Sequence, residues 1–311
     1  MNRNSNKLLW VEQLSKCYQN RQAVKDISFS LDEGDIFAFL GPNGAGKTTT
    51  LRLLLDIIKA DSGIISWNIN GKNTRLPSSQ EIGYLPEERG LYPELPIIRT
   101  LVYIATIRGM DADAARKAAM EWLEKVGLAD RAGEKLQALS KGNQQKIQFI
   151  ASILHKPAFV ILDEPFSGLD PINQEQFIEY IKEINRQGTT ILLSAHQMPL
   201  VERLAKKVFL MNRGEQIFHG ELAEIFKTYG HQHILNISFS TEVPEEKLRI
   251  LTDMQSLVFE NSYETKITLK PGANLGQTLS ELGKFENITN IKSHQPGLHD
   301  IFLQLVKEHQ P

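Results

Sequence analysis

The sequence predicts an α/β domain over residues 1–229, followed by a small α+β domain over residues 230–311. Three observations predict it. Strand and helix patterns alternate from residue 7 to about residue 205, the order that builds a mainly parallel sheet. Residues 159–162, Phe-Val-Ile-Leu, form an unbroken apolar run of the kind covered on both faces of such a sheet. After Gly230 the texture changes to short strands interleaved with amphipathic stretches.

In chain order, residues 7–40 alternate apolar and polar positions and read as strands with a turn at Glu33-Gly34. A glycine-rich segment at 41–48 precedes the helical pattern of residues 51–60. Residues 63–70 read as a strand ending at an Asn70-Gly71 turn. Residues 98–125 and 143–155 carry helical periodicity. Helix 171–187, strand 189–194 and helix 198–205 follow the apolar run. Beyond residue 230 the order is strand 233–240, helix 244–254, a hairpin around Asn261-Ser262, helix 275–285, strand 287–294 and a last helix 298–309. That βαββαβ order, plus a helix, predicts a ferredoxin-like domain.

The 311 residues are 41% apolar, enough for a sizeable core. With 35 basic against 37 acidic residues the net charge is -2, so no nucleic-acid footprint is expected. Cys17 is the single cysteine, which excludes an internal disulfide. A reducing compartment fits, and so does a cysteine-poor secreted protein. The first apolar stretch is too short for a signal-peptide core. No run approaches the roughly 20 apolar residues of a membrane helix.

The strongest chemical signal is Gly41-Pro42-Asn43-Gly44-Ala45-Gly46-Lys47-Thr48, with Thr49 next. It matches the phosphate-loop spacing GxxxxGK[ST] and sits between a strand pattern and a helix pattern. Glycines let backbone amides approach an anion, and a helix N-terminus adds partial positive charge. Lys47 can reach β/γ-phosphate oxygens, and the Thr48 hydroxyl can ligate Mg²⁺. A chance match is expected in about 1% of chains this long.

Asp163 and Glu164 close the apolar strand. In phosphate-loop enzymes a carboxylate there binds Mg²⁺, which makes Asp163 the metal candidate. Glu164 can then polarise an attacking water. Alone, such a pair also reads as a solvated strand end.

With these motifs in order, residues 7–225 resemble the nucleotide-binding subunits of ABC transporters. The resemblance implies a P-loop NTPase fold of the ABC type, with an N-terminal antiparallel β subdomain and a helical subdomain at about 88–155. Leu139-Ser140-Lys141-Gly142-Asn143 is similar to the family signature, with Lys141 in place of glycine and Asn143 in place of glutamine. Ser140 is placed to cap a helix, which is also the plain reading of the segment. In the family this segment reaches the γ-phosphate held by a second subunit. Asp170 resembles the D-loop aspartate, His196 the switch histidine, and Tyr18 the ring that stacks on adenine. Tyr18 equally suits packing on its strand. In residues 82–89, Glu87 stands where the family's Q-loop carries glutamine, and a carboxylate is also a Mg²⁺ ligand.

The resemblance implies catalytic roles for Glu164, His196 and Lys47, and ATP with Mg²⁺ as cofactors. It further implies a homodimer with composite ATP sites and a separate integral membrane permease. The location implied is cytoplasmic, peripheral on the inner face of the cell membrane. The string GYLPEERGLYP at 83–93 resembles a bacterial exporter subgroup with a small extra C-terminal domain. Three other readings stand beside this one: a soluble ABC ATPase acting on ribosomes or DNA, a phosphate-loop kinase or GTPase, and a C-terminal domain that binds a regulatory ligand.

Overall fold

The structure, a computed structural model, describes residues 7–309 apart from 20, 89, 250 and 252. Asn20 and Arg89, both inside segments singled out above, therefore lie outside the described residues.

Strands β1 (Lys7–Tyr18) and β2 (Arg21–Asp32) pair antiparallel. Strand β3 (Ile36–Leu40) follows the expected turn and is buried at every position. Helix α1 (Lys47–Leu54) stops short of the expected residue 60, because Asp56 takes a left-handed φ of 55°. Strand β4 (Ser62–Ile69) pairs with β1, and β5 (Lys72–Thr74) turns back on it. Asn70 and Gly71, with φ of 53° and 74°, make that turn as expected.

After β6 (Ile82–Leu85) come α2 (Ile97–Ile107), α3 (Ala112–Lys125) and α4 (Lys141–Ile153), which pack on one another. The expected single stretch 98–125 is two helices. Gly109 breaks it with φ 92°, and Asp111 restarts it by accepting from the amides of Asp113 and Ala114. The rest of the unit is β7 (Phe159–Asp163), α5 (Pro171–Arg186), β8 (Thr190–Ala195), α6 (Met198–Glu202), β9 (Lys207–Asn212) and β10 (Glu215–Glu221). Sequence reading did not pick out the last two strands, which join through Arg213-Gly214.

Two sheets result. One is antiparallel, in the order β2-β1-β4-β5. The other has six strands in the order β10-β9-β3-β8-β7-β6, and β9, β3, β8, β7 and β6 run parallel. Phe29 of β2 meets Phe37 and Phe39 of β3 and Phe209 of β9 at centroid distances of 5.9, 5.0 and 5.3 Å, which packs the two sheets together. Trp67 does the same edge-on against Phe159 at 5.0 Å. Burial of each such ring contributes about 1.5–3 kcal/mol.

The chain divides into compact units between Gly220 and Glu221, ahead of the expected boundary at 229. Helix α7 (Leu222–Tyr229) goes with the second unit because it packs on α10 (Leu298–Glu308). Between them lie β11 (Ile234–Phe239), the single turn α8 (Glu245–Leu248), β12 (Met254–Asn261), β13 (Glu264–Leu269), α9 (Leu275–Leu282) and β14 (Ile288–His294). The antiparallel order β12-β13-β11-β14 is the expected ferredoxin-like one. Leu235, Ile237 and Phe239 alternate onto one face and pack with Leu248 and Leu282. The first helix is shorter than the expected 244–254, and Met254 already belongs to β12.

Candidate functional site

Parallel pairing brings four strand ends to one edge. Leu40 of β3 pairs with Ala195 of β8, Ser194 of β8 with Asp163 of β7, and Leu162 of β7 with Leu85 of β6. The residues that follow, Gly41, His196, Glu164 and Glu87, therefore emerge side by side. Ligands of open parallel sheets bind at this carboxyl edge.

The phosphate loop cannot tolerate side chains at two positions. A Cβ on Gly41 would lie 2.2 Å from the Met211 carbonyl oxygen, and one on Gly46 would lie 2.3 Å from that of Ala23. Gly46 also takes φ 109°, a conformation that favours glycine. Helix α1 begins at Lys47, so its free amides point into the loop. The Lys47 ammonium is 7% exposed; it donates to the carbonyls of Gly41 at 2.7 Å and Pro42 at 3.3 Å. It lies 3.9 Å from Glu164 Oε1. Burial holds its pKa below the usual lysine range, while Glu164, Asp163 and Glu87 pull it back up.

Asp163 is fully buried and accepts a hydrogen bond from the Ser194 hydroxyl. That hydroxyl in turn accepts from the Glu164 amide at 3.2 Å, beside the Ser194 carbonyl at 3.1 Å. These bonds hold Glu164 at a left-handed φ of 51°, which costs on the order of 1 kcal/mol for a residue with a Cβ. The carboxylate thus turns back from the strand, and its Oε2 meets His196 Nδ1 at 2.8 Å. Burial raises the Glu164 pKa, opposed by His196 and Lys47. The pKa of Asp163 is raised by burial as well, against the hydroxyls of Ser194 and Thr48.

Asp163 Oδ2 is a buried oxygen without a hydrogen-bond partner, and the Thr48 hydroxyl is close enough to the same carboxyl group to lower its pKa. Such a donor set fits Mg²⁺, which takes one or two carboxylates plus phosphate oxygens and water. Among the described residues no three His, Cys, Asp or Glu side chains gather into a metal cluster, and Mg²⁺ held by one carboxylate and a hydroxyl takes its other ligands from phosphate oxygens and water.

The raised Asp163 value has a stability consequence. The protonated carboxyl suits the fold better than the charged one, a contribution present below the unfolded pKa and lost as pH rises through the raised one. Asp163→Asn, neutral throughout, is expected to melt above the wild type at about pH 7.5. The gap should narrow toward about pH 5; equal melting midpoints at the higher pH would overturn the expectation.

The loop borders a cleft of about 630 Å³, lined also by Tyr18, Arg21, Glu87 and Glu164. Tyr18 is 46% exposed, so its ring is open to a ligand as well as resting on β1. Ser140 caps α4 by accepting from the Asn143 amide at 3.4 Å, and Asp170 caps α5 through the Asn173 amide at 2.9 Å. Ser140, Lys141 and Asp170 are exposed, and Gly142 and Asn143 are half-buried. None of these five lines the cleft among the described residues. Within one chain the structure brings together the phosphate loop, Asp163, Glu164, His196, Glu87 and Tyr18, but not residues 140–143 or 170.

Sequence reasoning missed Ser194, Gln145 and Gln148. Ser194 is a buried hydroxyl near the end of a mostly apolar strand that begins with Thr190, which was a readable signal. The Gln145 amide donates to the carbonyls of Glu164 and Pro165 at 3.4 and 3.1 Å, and no spacing announces that contact.

A protein-family model described as ABC transporter matches residues 24–167. The ABC transporter ATP-binding protein YhaQ of Bacillus subtilis is 36% identical over 301 residues, 96% of this chain and 98% of that protein. The linearmycin resistance ATP-binding protein LnrL of the same organism is 32% identical over 306 residues, 96% of this chain and 98% of its own. A solved structure of an ATP-binding subunit of an ABC transporter superposes with a TM-score of 0.65 at 30% identity, covering 72% of this chain and 93% of that one.

Proposed function

Since the chain belongs to the ABC transporter ATP-binding family, and is an ATPase that uses ATP with Mg²⁺, we propose that two copies close over two ATP molecules and drive export through a separate membrane permease. One observation carries the reading. The phosphate loop shares a cleft with Glu164, whose carboxylate His196 contacts, while Ser140 and Lys141 are exposed outside it, where only another molecule can bring them to a phosphate.

The mechanism follows from these residues. Residues 41–49 of one copy hold the phosphates through amides and Lys47, and Ser140–Asn143 of the other close the far side. Asp163 and Thr48, with Glu87 nearby, would hold Mg²⁺, which supplies charge neutralisation at the β and γ oxygens when bound. Glu164 takes the proton of the attacking water, and His196 orients that carboxylate from one side while Lys47 does so from the other. Developing charge on the phosphoryl group meets donors already in place. Loss of the γ-phosphate removes what joins the copies, so they part, and the loop after β6 passes the motion to the permease.

No helix among the described residues is long and apolar enough to cross a membrane; in this reading the permease carries the span and the subunit docks on the membrane's inner face. Export as the direction is supported by the likeness, over 96% of this chain, to the linearmycin resistance ATP-binding protein LnrL. Copurification of the tagged chain from membranes tests the reading. Recovery with a polytopic membrane protein is expected; recovery with ribosomes or DNA alone would sink it.

Tyr18 gives a further check. Stacking on a base is worth roughly 1–3 kcal/mol, so Tyr18→Ala is expected to weaken ATP binding roughly 5- to 150-fold. Tyr18→Phe, which keeps the ring, should stay close to wild type in a fluorescent-nucleotide titration.

A further inference from the structure

Glu87 stands on a loop that the phosphate cleft borders but that no regular structure braces, between β6 and α2. The loop is held from α4. Gln148 is 4% exposed, and its amide nitrogen donates to the carbonyls of Pro86 at 3.1 Å and Glu88 at 3.0 Å. These are the residues on either side of Glu87. Both N–H groups of the amide are used, and a side-chain amide is the neutral group that can supply two donors from one atom. Three residues earlier on the same helix face, Gln145 holds the carbonyls of Glu164 and Pro165 in the same manner. One helix thus ties down both acid-bearing loops.

We propose that Gln148 is a positioning residue, which fixes Glu87 at the nucleotide cleft by clamping the two carbonyls that flank it. The inference rests on the reading above that Glu87 faces the Mg²⁺ of bound nucleotide. The clamp matters because a carboxylate ligand is useful to a metal only if its backbone is held, and removing such outer support weakens metal binding about 10- to 100-fold. An unclamped Glu87 would instead swing into solvent, where a charged side chain is best hydrated.

The test measures affinity rather than turnover. Binding of a non-hydrolysable ATP analogue to the full chain is compared with Mg²⁺ and with EDTA. The quantity read is the gain in affinity that Mg²⁺ confers. Gln148→Met keeps the length of the side chain without a donor. It is expected to lose about tenfold of that gain and to leave affinity in EDTA unchanged. Glu87→Ala should lose a similar share, and the double variant no more than either alone. Should Gln148→Met fail to fold, Gln148→Asn, which keeps the amide but withdraws it by one methylene, replaces it. If Glu87→Ala loses the gain and Gln148→Met keeps it, the clamp is refuted. Additive losses would place Gln148 on another route and refute it too. If Glu87→Ala keeps the full gain, the metal reading of Glu87 falls and the clamp's purpose falls with it.

Discussion

Glu164→Gln is expected to cut ATP turnover by about 10²- to 10⁴-fold while leaving ATP binding intact. The amide keeps the shape of the carboxyl and its reach to His196, but it cannot take a proton from water. It also removes a buried negative charge 3.9 Å from Lys47, so the cleft repels ATP less. Binding without hydrolysis should therefore accumulate an ATP-bound dimer, visible as a shift to twice the monomer mass in size-exclusion chromatography with light scattering. Turnover at the wild-type rate would show that another group activates the water. The pH dependence has a definite sign. Burial raises the Glu164 pKa, and the base works only when ionised. The acid limb of kcat should thus lie above the ordinary glutamate value of about 4.3 and should disappear in Glu164→Gln.

Lys47→Ala is expected to do the opposite at the binding step. A hydrogen bond to a charged group is worth about 1.5–3 kcal/mol, so ATP affinity should fall roughly 10- to 150-fold. Turnover should fall further, since phosphoryl charge grows toward the transition state. No ATP-induced dimer should appear. The substitution also strips the nearest cation from Asp163 and Glu164, both buried, whose charged forms then become costlier still. Lys47→Arg should not restore activity. The ammonium donates to two carbonyls of its own loop, at Gly41 and Pro42, and a planar guanidinium does not fit that position. Wild-type affinity in Lys47→Ala, measured by calorimetry, would mean that the loop amides alone hold the phosphates.

Much of the site was legible because its chemistry is local in the chain. Residues 41–48 form a loop in which Gly41 and Gly46 are required by the backbones of Met211 and Ala23. Asp163 ends a strand whose apolar run marks it as buried. Ser140 and Asp170 begin helices, and both cap them as their residue types suggest. Helix limits were less legible. The breaks at Asp56 and Gly109 depend on left-handed backbone that apolar periodicity does not register. Which unit α7 joins was not legible, because it is amphipathic in isolation and only its packing on α10 decides the core it shares.

The order of motifs along the chain already determined the family and its chemistry: a phosphate loop, then a signature-like segment, then a carboxylate pair at a strand end. What only the tertiary structure decided is which side chains meet. Parallel pairing of β3, β8, β7 and β6 sets Gly41, His196, Glu164 and Glu87 in one row. The Ser194 and Gln148 contacts exist because distant segments are packed within about 3 Å of each other. Covalent order fixes what each residue can do over a few bonds, whereas hydrogen bonds and buried charge act across space and answer only to the fold.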